Sequence, residues 1–439
     1  DLLDGDARAA YKTTDFDLLQ FQKLKMYVHA ENSDPDEIIN DGDLTVFIRL
    51  GADFTENYYE YEVPLTFTQW GTNIADQIWP EENNFEITLD DLVAVKSQRN
   101  SAIVNNNDPT VAYTYPYISY DGNNKITVLG TPSLSDVSAI MIGVRNPKKV
   151  SYTDNDDGLP KCAEIWINEL RLTDFDESSG WAATGRLSTS LADMGNIVLS
   201  GTITTPGFGS IEKKINERSR ETSTMFDIAT NLELGKFFPK SFGIRVPMHF
   251  DYSETRSTPQ YNPLDPDVLY SDVLDDLDKD GKDSLKANTQ TYIKRKNINF
   301  VNVRKERTGT GSKPYPWDIS NFNFTYAYQE IYQRDIDVEY DLQKKYNGGM
   351  GYNFTMNPKN ISPFSKIGFL SKAKALQLIR DFNFYLMPKV FSFRTDMNRM
   401  YNERKLRNKA RGEVIIDPTY TKSWDWSRIY DLKYDLTRS

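Results

Sequence analysis

The second half of the chain alternates between apolar and polar residues over unusually long runs. In residues 242–252 one face carries Phe242, Ile244, Val246, Met248, Phe250 and Tyr252, and the other face carries no large apolar residue. Similar alternation occurs at residues 226–234, 321–328, 336–343 and 424–436. A period of two is typical of strands with one covered face. Residues 226–234 and 242–252 are separated by a short segment, and we expect them to form a hairpin.

The length of these runs indicates a membrane. A tilted strand needs about 9 to 11 residues to cross a bilayer, whereas strands of soluble proteins average about 5 to 6. The chain has too little other sequence to cover the apolar faces of about ten such strands, so we expect lipid to cover them. In lipid every backbone polar group must be paired, so the sheet closes on itself or with further strands. Long polar connections at 205–223 and from 253 into the 290s are typical of membrane β-barrels. Residues 285–305 and 400–421 show no clear alternation.

Residues 1–176 have shorter apolar runs between clusters of Asn, Asp, Gly and Pro. The runs lie at residues 44–50, 85–89, 125–129, 139–144 and 164–172. Regular spacing of short strands and turns predicts a β-sandwich resembling a jelly roll. The last run is apolar on both faces, so we expect it to be covered on both sides or to lie at a junction.

One segment has the periodicity of a helix. Residues 363–382 place apolar residues three positions apart, with lysine and arginine elsewhere around the turn; the apolar positions are Phe364, Ile367, Leu370, Ala373, Leu376 and Ile379. This pattern predicts one amphipathic helix among the strands. We expect it to pack against the end of the barrel, with docking at the membrane surface or on a partner as the alternatives.

The composition narrows the function classes. The 439 residues include 52 Lys and Arg and 63 Asp and Glu, which gives a net charge of −11. This charge argues against sequence-independent binding of nucleic acid. One cysteine and two histidines argue against a disulfide framework and against multi-cysteine metal sites. Aromatic residues make up 13% of a chain whose mean hydropathy is −0.59, which suits a barrel with a polar interior and aromatic girdles. The chain opens at Asp1 without Met, and we expect it to be a piece of a longer protein.

Four features were weighed as sites of chemistry. Asp276, Asp278, Asp280 and Gly281 resemble the start of a calcium loop, but Ala287 occupies the position of the bidentate Glu, so a solvated acidic loop is preferred. Residues 154–158 form a weaker acidic cluster, interpreted as an exposed turn. Cys162 is interpreted as an inert core residue. His249, near Arg245 and Asp251, is interpreted as part of a polar network inside the barrel.

Neither a glycine-rich phosphate loop nor a serine nucleophile elbow occurs, and no pair of carboxylates stands out. We therefore predict that the protein is not an enzyme, with no catalytic, cofactor-binding or metal-binding residues and no cofactor.

Several long stretches resemble the SprA/Sov family. They include residues 163–175 (AEIWINELRLTDF), 180–191, 201–209 and 247–266, and similar sequence continues through 381–400. The resemblance covers residues 130–439. Members of this family form the outer-membrane translocon of the type IX secretion system of Bacteroidetes, which is linked to gliding motility in some members.

The resemblance implies a fold and a set of partners. The family fold is one very large antiparallel transmembrane β-barrel in the cell outer membrane. It acts as a pore for folded cargo with type IX C-terminal signal domains, with a PorV-like small barrel and a periplasmic plug protein as partners. This chain would supply part of the wall: an all-β protein with a sandwich domain at 1–176 and roughly ten strands at 177–439, completed by the remaining segments of the same barrel.

Two alternatives stay open from the sequence. One is a surface glycan-binding or glycan-processing β protein, with Tyr, Trp and Asn residues of 57–120 as its binding face. The other is a small porin of about ten strands that closes on itself.

Overall fold

The computed structural model describes residues 1–34, 39–106, 110–151, 157–176, 178–213, 217–309, 315–367, 377–408 and 415–438. Strands greatly exceed helices among them, so the predicted all-β class is confirmed. By its internal contacts the chain divides into two units. The first comprises Asp1–Gly180, Gly209–Arg220 and Pro259–Lys282, and the second comprises Trp181–Phe208, Glu221–Thr258 and Asp283–Ser439.

The first nine strands belong to the first unit. They are β1 (Ala7–Phe16), β2 (Phe21–Asn32), β3 (Thr45–Gly51), β4 (Tyr58–Pro64), β5 (Phe85–Thr88), β6 (Tyr117–Asp121), β7 (Asn124–Leu129), β8 (Val137–Arg145) and β9 (Ala163–Phe175). The helices here are α1 (Ala75–Ile78) and α2 (Leu89–Asn106), with a 3₁₀ turn at Glu81–Asn83. All five strand segments predicted for this region are present.

Two antiparallel sheets form a sandwich. One has the order β1-β8-β3-β4-β7-β6, and the other has the order β5-β2-β9. Side chains from both sheets and from α2 form one buried cluster, which includes Val28, Leu44, Val46, Ile48, Phe85, Leu92 and Val128. Burial of these side chains stabilises the sandwich by about 1.5–3 kcal/mol for each large one. The prediction of a β-sandwich is confirmed.

Strand β9 corrects one prediction. It pairs with β2 at the edge of its sheet, and the side chains of Trp166 and Leu170 are 57% and 41% exposed. Of the two alternatives for this strand, coverage on both sides is therefore wrong. The alternative of a junction agrees with its place in the chain, because β9 is the last strand before the second unit begins at Trp181. A positive φ of 55° at Glu169 marks a bulge opposite the register shift in β2. The bulge interrupts the alternation of side chains along the strand.

Helix α2 was not predicted. Its 18 residues include Leu92 and Val95, which are buried in the sandwich core. Asp90 and Asp91 lie in its first turn, where carboxylates interact favourably with the helix dipole. The sequence prediction for residues 1–176 contains strands and turns but no helix. The alternation of apolar and polar residues therefore does not reveal α2.

The second half continues with ten strands of one sheet and four short ones. The long strands are β10 (Ala182–Ser190), β11 (Gly195–Thr204), β12 (Glu221–Glu233), β14 (Pro247–Pro259), β17 (Thr291–Lys305), β18 (Phe322–Arg334), β19 (Val338–Thr355), β22 (Val390–Leu406) and β23 (Thr419–Lys433), and β13 (Ile244–Arg245) is a short member of the same sheet. The others are β15 (Tyr261–Asn262), β16 (Asp265–Leu269), β20 (Asn360–Ile361) and β21 (Phe384–Tyr385).

Helices are short in this half of the chain. They are α3 (Tyr270–Asp275), α4 (Lys279–Thr289) and α5 (Gln377–Arg380), with 3₁₀ turns at Leu234–Phe237, Lys240–Phe242 and Ile319–Asn321. No helix in the described part of the chain is long and apolar enough to span a membrane.

The large sheet follows the order β10-β11-β12-β14-β17-β18-β19-β22-β23, and β13 pairs with β17. Strands β12 and β14 are neighbours, so the predicted hairpin is confirmed. The second strand of the hairpin begins later than predicted, because a 3₁₀ turn at Lys240–Phe242 and a left-handed Gly243 (φ 62°) interrupt it. The polar connection predicted from residue 253 also begins later, since β14 extends to Pro259.

The helix predicted at 363–382 is described only in part. Residues 363–366 form a turn in which Ser365 N and Oγ donate to the carbonyl of Ser362, at 3.3 Å and 2.8 Å. The predicted start of the helix at Pro363 is therefore wrong. Residues 368–376 lie outside the described residues, and α5 supplies four helical residues at the end of the segment.

Candidate functional site

The large sheet has one apolar face and one polar face, and its register places the side chains of each face in rows. Directly opposite residues of an antiparallel pair lie on the same face. The row Phe322, Tyr352, Phe393 and Tyr430 therefore runs over β18, β19, β22 and β23 on one face. The ring centroids of Phe322 and Tyr352 lie 4.9 Å apart. This confirms the predicted assignment of residues 322–328 to a strand with an aromatic face.

We call the face that carries Phe322, Tyr352, Phe393 and Tyr430 the apolar face. It extends to β14 and β17. The next row contains Phe324, Met350, Thr395 and Arg428, and the row after it consists of Met248, Phe300, Tyr326, Gly348, Met397 and Trp426. Phe354 and Phe391 lie in a further row of the same face. Six strands therefore share a mainly apolar and aromatic surface, which Arg399 and Arg428 interrupt on β22 and β23. An apolar surface of this kind needs a cover of matching chemistry.

The polar face carries the intervening residues and has a hydrogen-bonded network at its centre. The two ring nitrogens of His249 lie 2.8 Å from Asn231 Oδ1 and 3.0 Å from Asp251 Oδ1. Asn297 Nδ2 donates to the same Asp251 oxygen at 3.0 Å. The predicted polar network around His249 is present, but Arg245 is not part of it, because its Nε lies 3.0 Å from Glu306 Oε1.

Neutral side chains dominate the next part of the polar face. A cleft of about 250 Å³ is lined by Asn297, Asn299, Ala327, Gln329, Lys345 and Asn347. Amide groups of this kind present both donors and acceptors without a net charge. Such a surface remains hydrated and offers little apolar area to which another protein could adhere.

The two ends of the large sheet are strands β10 and β23. Within the described residues each pairs with one neighbour only, β10 with β11 and β23 with β22. Every described residue of both strands is exposed. Unpaired N–H and C=O groups along an edge favour the addition of another strand.

The first unit contains a buried polar cluster whose members are far apart in the sequence. Lys96 Nζ of α2 donates to Asp267 Oδ1 at 2.7 Å and to the carbonyl of Pro132 at 2.6 Å, and it also contacts Asp265. Tyr59 OH donates to Asp267 Oδ2 at 2.7 Å. The side chains of Lys96 and Asp267 are 2% and 0% exposed.

Burial shapes the acid–base properties of this cluster. It raises the pKa of Asp265 although Lys96 acts in the opposite direction, and it raises the pKa of Tyr59 well above its usual value. Burial also lowers the pKa of Arg99, whose Nη1 donates to the carbonyl of Gly130 at 2.7 Å. Because each charged group has partners inside the cluster, the arrangement attaches the β15–β16 segment to α2 and does not expose a reactive group.

The acidic segment that was interpreted as a solvated loop is helical, with Asp276 at the end of α3 and Asp280 and Gly281 in α4, so the loop interpretation is wrong. Asp278 precedes α4, and its Oδ1 accepts a hydrogen bond from Gly281 N at 2.8 Å. This is the geometry of an N-cap. No group of three or more His, Cys, Asp or Glu is arranged for a metal ion in the part of the chain that the structure describes. Of the second acidic cluster, residues 154–156 lie outside the described residues, and Asp157 contacts Lys161 Nζ at 2.7 Å.

The glycan alternative loses much of its binding face. Tyr58, Tyr59 and Tyr61 are buried, and Trp70, Tyr115 and Tyr120 are the exposed aromatic residues of this region. The composition of residues 57–120 does not distinguish aromatic residues of the core from those of the surface.

Sequence reasoning missed the Lys96 cluster, although a signal for it exists. Leu89, Leu92, Lys96 and Arg99 follow helical spacings of three and four and therefore lie on one face of α2. Cations on an apolar helical face indicate buried partners elsewhere in the chain. The position of those partners in residues 265–267 has no signature in the sequence.

The fold and the two-faced sheet define an all-β protein. Residues 1–274 match the family SprA_N, described as motility related/secretion protein. The match covers more than half of the chain, so the chain belongs to this family. The match includes the first 130 residues, which the resemblance seen in the sequence does not cover. No curated protein matches the chain.

Proposed function

We propose that this chain forms part of an outer-membrane channel that exports folded cargo proteins, as in a type IX secretion translocon. The family is one of motility and secretion proteins and is not defined by a catalytic activity. The observation that carries the proposal is the antiparallel sheet with one apolar and one polar face over strands of up to 18 residues. Strands of this kind suit a wall between lipid and a water-filled pore.

Each face has a role in this proposal. The apolar face is covered by acyl chains, which have no hydrogen-bonding capacity and match Phe, Ile, Met and Trp side chains. The polar face, with His249, Asn299 and Asn347, lines the pore and remains hydrated. A folded hydrophilic cargo passes a surface of this kind without losing its own hydration.

The single pairing of β10 and β23 supports a wall that other strands complete. A ten-stranded porin closed on itself would pair these two strands with each other, and they are not neighbours in the described sheet. We propose that the remaining segments of the same barrel occupy these edges. The further proposed partners are cargo with type IX C-terminal signal domains, a PorV-like small barrel and a periplasmic plug protein.

A pair of adjacent substitutions tests the assignment of the two faces. Phe300 lies on the apolar face and Asn299 on the polar face of β17. Phe300→Arg places a charge in lipid, at a cost of about 2–4 kcal/mol near the bilayer midplane, and Asn299→Arg places it in water. We expect Phe300→Arg in the intact protein to lower the amount of folded protein in the outer membrane and the export of a signal-domain cargo.

Asn299→Arg is the matched control, since it adds the same side chain one residue away. We expect it to preserve membrane assembly. Equal losses for both variants, or a tolerated Phe300→Arg, would show that lipid does not cover the apolar face, and the proposal of a membrane channel would then fail.

A further inference from the structure

A band of tyrosine and charged residues crosses six strands on the apolar face. We call it the charged belt; it consists of Tyr252, Glu254, Lys294, Lys296, Tyr328, Glu330, Lys344, Tyr401, Glu403, Tyr420 and Lys422. The register places one row of it at Tyr252, Lys296, Glu330, Lys344, Tyr401 and Lys422. The next row contains Glu254, Lys294, Glu403 and Tyr420. The belt therefore follows the register and is not a scatter of surface charges.

The belt separates two regions of this face. On one side are the aromatic and aliphatic rows that include Phe250, Ile298, Met248 and Phe300. On the other side the strands continue with charged residues such as Arg256 and Arg334, which lie opposite Tyr292. The belt thus lies at a change from apolar to charged surface. In a membrane barrel a change of this kind marks the headgroup layer, where tyrosine is enriched.

A short motif recurs on three strands of the belt. In each case a tyrosine donates to the glutamate two residues later: Tyr252 to Glu254 at 2.8 Å, Tyr328 to Glu330 at 2.6 Å, and Tyr401 to Glu403 at 2.7 Å. An ionised carboxylate has about four acceptor sites. Glu254 also accepts from Arg256 Nη2 at 3.2 Å, and Glu403 also accepts from Tyr340 OH at 2.8 Å. Each glutamate still has an acceptor site left for a cationic group that approaches the face.

The lysines of the belt supply the opposite charge. Within the described residues Lys296 Nζ lies 3.9 Å from Glu330 Oε1, and Lys294 and Lys422 lie over tyrosine rings at 5.5 Å and 5.7 Å. Long lysine side chains near an apolar surface extend their ammonium groups toward the polar layer. Cations and carboxylates thus alternate across neighbouring strands, which are about 4.8 Å apart.

We propose that the charged belt binds the headgroups of phosphatidylethanolamine, with the phosphate at the lysines and the ammonium at the glutamates. This phospholipid carries both charges, joined by a two-carbon linker, so it complements the alternation of signs over adjacent strands. Its ammonium group has three N–H donors, whereas the quaternary ammonium of phosphatidylcholine has none. The inference rests on the proposed function, because it requires the apolar face to lie in lipid.

The test uses the intact protein in nanodiscs that contain trace amounts of spin-labelled phosphatidylethanolamine or phosphatidylcholine. Electron paramagnetic resonance gives the fraction of each lipid whose motion the protein restricts. We expect the association constant of phosphatidylethanolamine to exceed that of phosphatidylcholine by about two- to fivefold, the size of one exposed ion pair.

Variants on the two faces of the same strands separate the belt from a general effect of charge. Lys296→Gln with Lys344→Gln removes two cations of the belt, and we expect weaker association of both lipids. Arg295→Gln with Lys345→Gln removes two cations of the polar face on β17 and β19, and we expect no change. Glu330→Gln, which is nearly isosteric, should abolish the preference for phosphatidylethanolamine and leave the association of phosphatidylcholine unchanged.

The outcomes distinguish the two proposals. Restricted lipid without a headgroup preference, or equal effects of the belt and control variants, overturns the binding of phosphatidylethanolamine and leaves the membrane channel in place. A complete absence of restricted lipid overturns both, because the apolar face would then not contact the bilayer.

Discussion

The buried pair of Lys96 and Asp267 makes a strong prediction about how residues 259–282 are attached to the first unit. In Lys96→Met, Asp267 loses its cation and retains hydrogen bonds from Tyr59 OH and from Leu134 N, the latter at 3.0 Å. Removing one partner of a buried ion pair costs about 3–5 kcal/mol. For a unit of about 200 residues this corresponds to a fall of roughly 6–20 °C in the temperature of unfolding.

Limited trypsin digestion of the intact protein during a temperature ramp measures this loss. Lys279 and Lys282 lie in the segment that Asp265 and Asp267 attach, so cleavage there should begin at a lower temperature in Lys96→Met. The control is Lys25→Met, which removes a cation 3.2 Å from Glu86 in a pair with 31% and 50% exposed side chains. An exposed pair contributes about 0–1 kcal/mol.

The reasoning is refuted if Lys96→Met and Lys25→Met lower the cleavage temperature equally. That result would mean that Lys96 and Asp267 are hydrated or separated in solution. Tyr59→Phe gives an independent check, since it removes one hydrogen bond to a charged group and should cost about 1.5–3 kcal/mol.

Three further predictions concern local structure. Burial opposes ionisation of Asp53, but hydrogen bonds from the N–H groups of residues 55–57 and from the Asn57 side chain lower its pKa to about 2. The stabilising effect of its carboxylate is therefore present above about pH 4 and is lost as the pH falls toward 2. Thermal unfolding of Asp53→Asn, measured over this pH range, should lack that part of the pH dependence. Gly243→Ala would place a Cβ 2.2 Å from the carbonyl of Glu306 at a positive φ, so thermal unfolding should show a loss above about 1 kcal/mol, whereas Gly185→Ala, which meets nothing within 4 Å, should not. Asp278→Ala should destabilise α4 by about 1 kcal/mol, and calcium should leave the unfolding temperature of the unaltered protein unchanged.

Alternation predicted much of the large sheet because one face is apolar over long stretches. It failed at β17, where Lys294 and Lys296 occupy the apolar face between Tyr292 and Ile298. The charged belt therefore hides a 15-residue strand from a test based on apolar periodicity. A test for tyrosine and lysine at alternate positions would have found it.

The sandwich was predicted from the spacing of short strands, but two of its features depend on tertiary structure. Helix α2 has buried cations among its apolar positions, so its amphipathic pattern is weak. Residues 259–282 are attached to the first unit by contacts with Lys96, and Asp267 lies 171 residues from Lys96 in the sequence. Local patterns carry no information about pairs at that separation.

The distance between Lys96 and Asp267 along the chain also has a consequence for the order of folding. During synthesis from the amino terminus, α2 is made long before Asp265 and Asp267, because β10, β11, β12 and β14 lie between them in the sequence. Until residue 267 arrives, Lys96 has no carboxylate to neutralise it in the interior, and the first unit cannot reach its final core. Contacts of such high order slow folding and prolong the exposure of aggregation-prone surface. The first unit can therefore complete its core only after the four intervening strands of the large sheet have been synthesised.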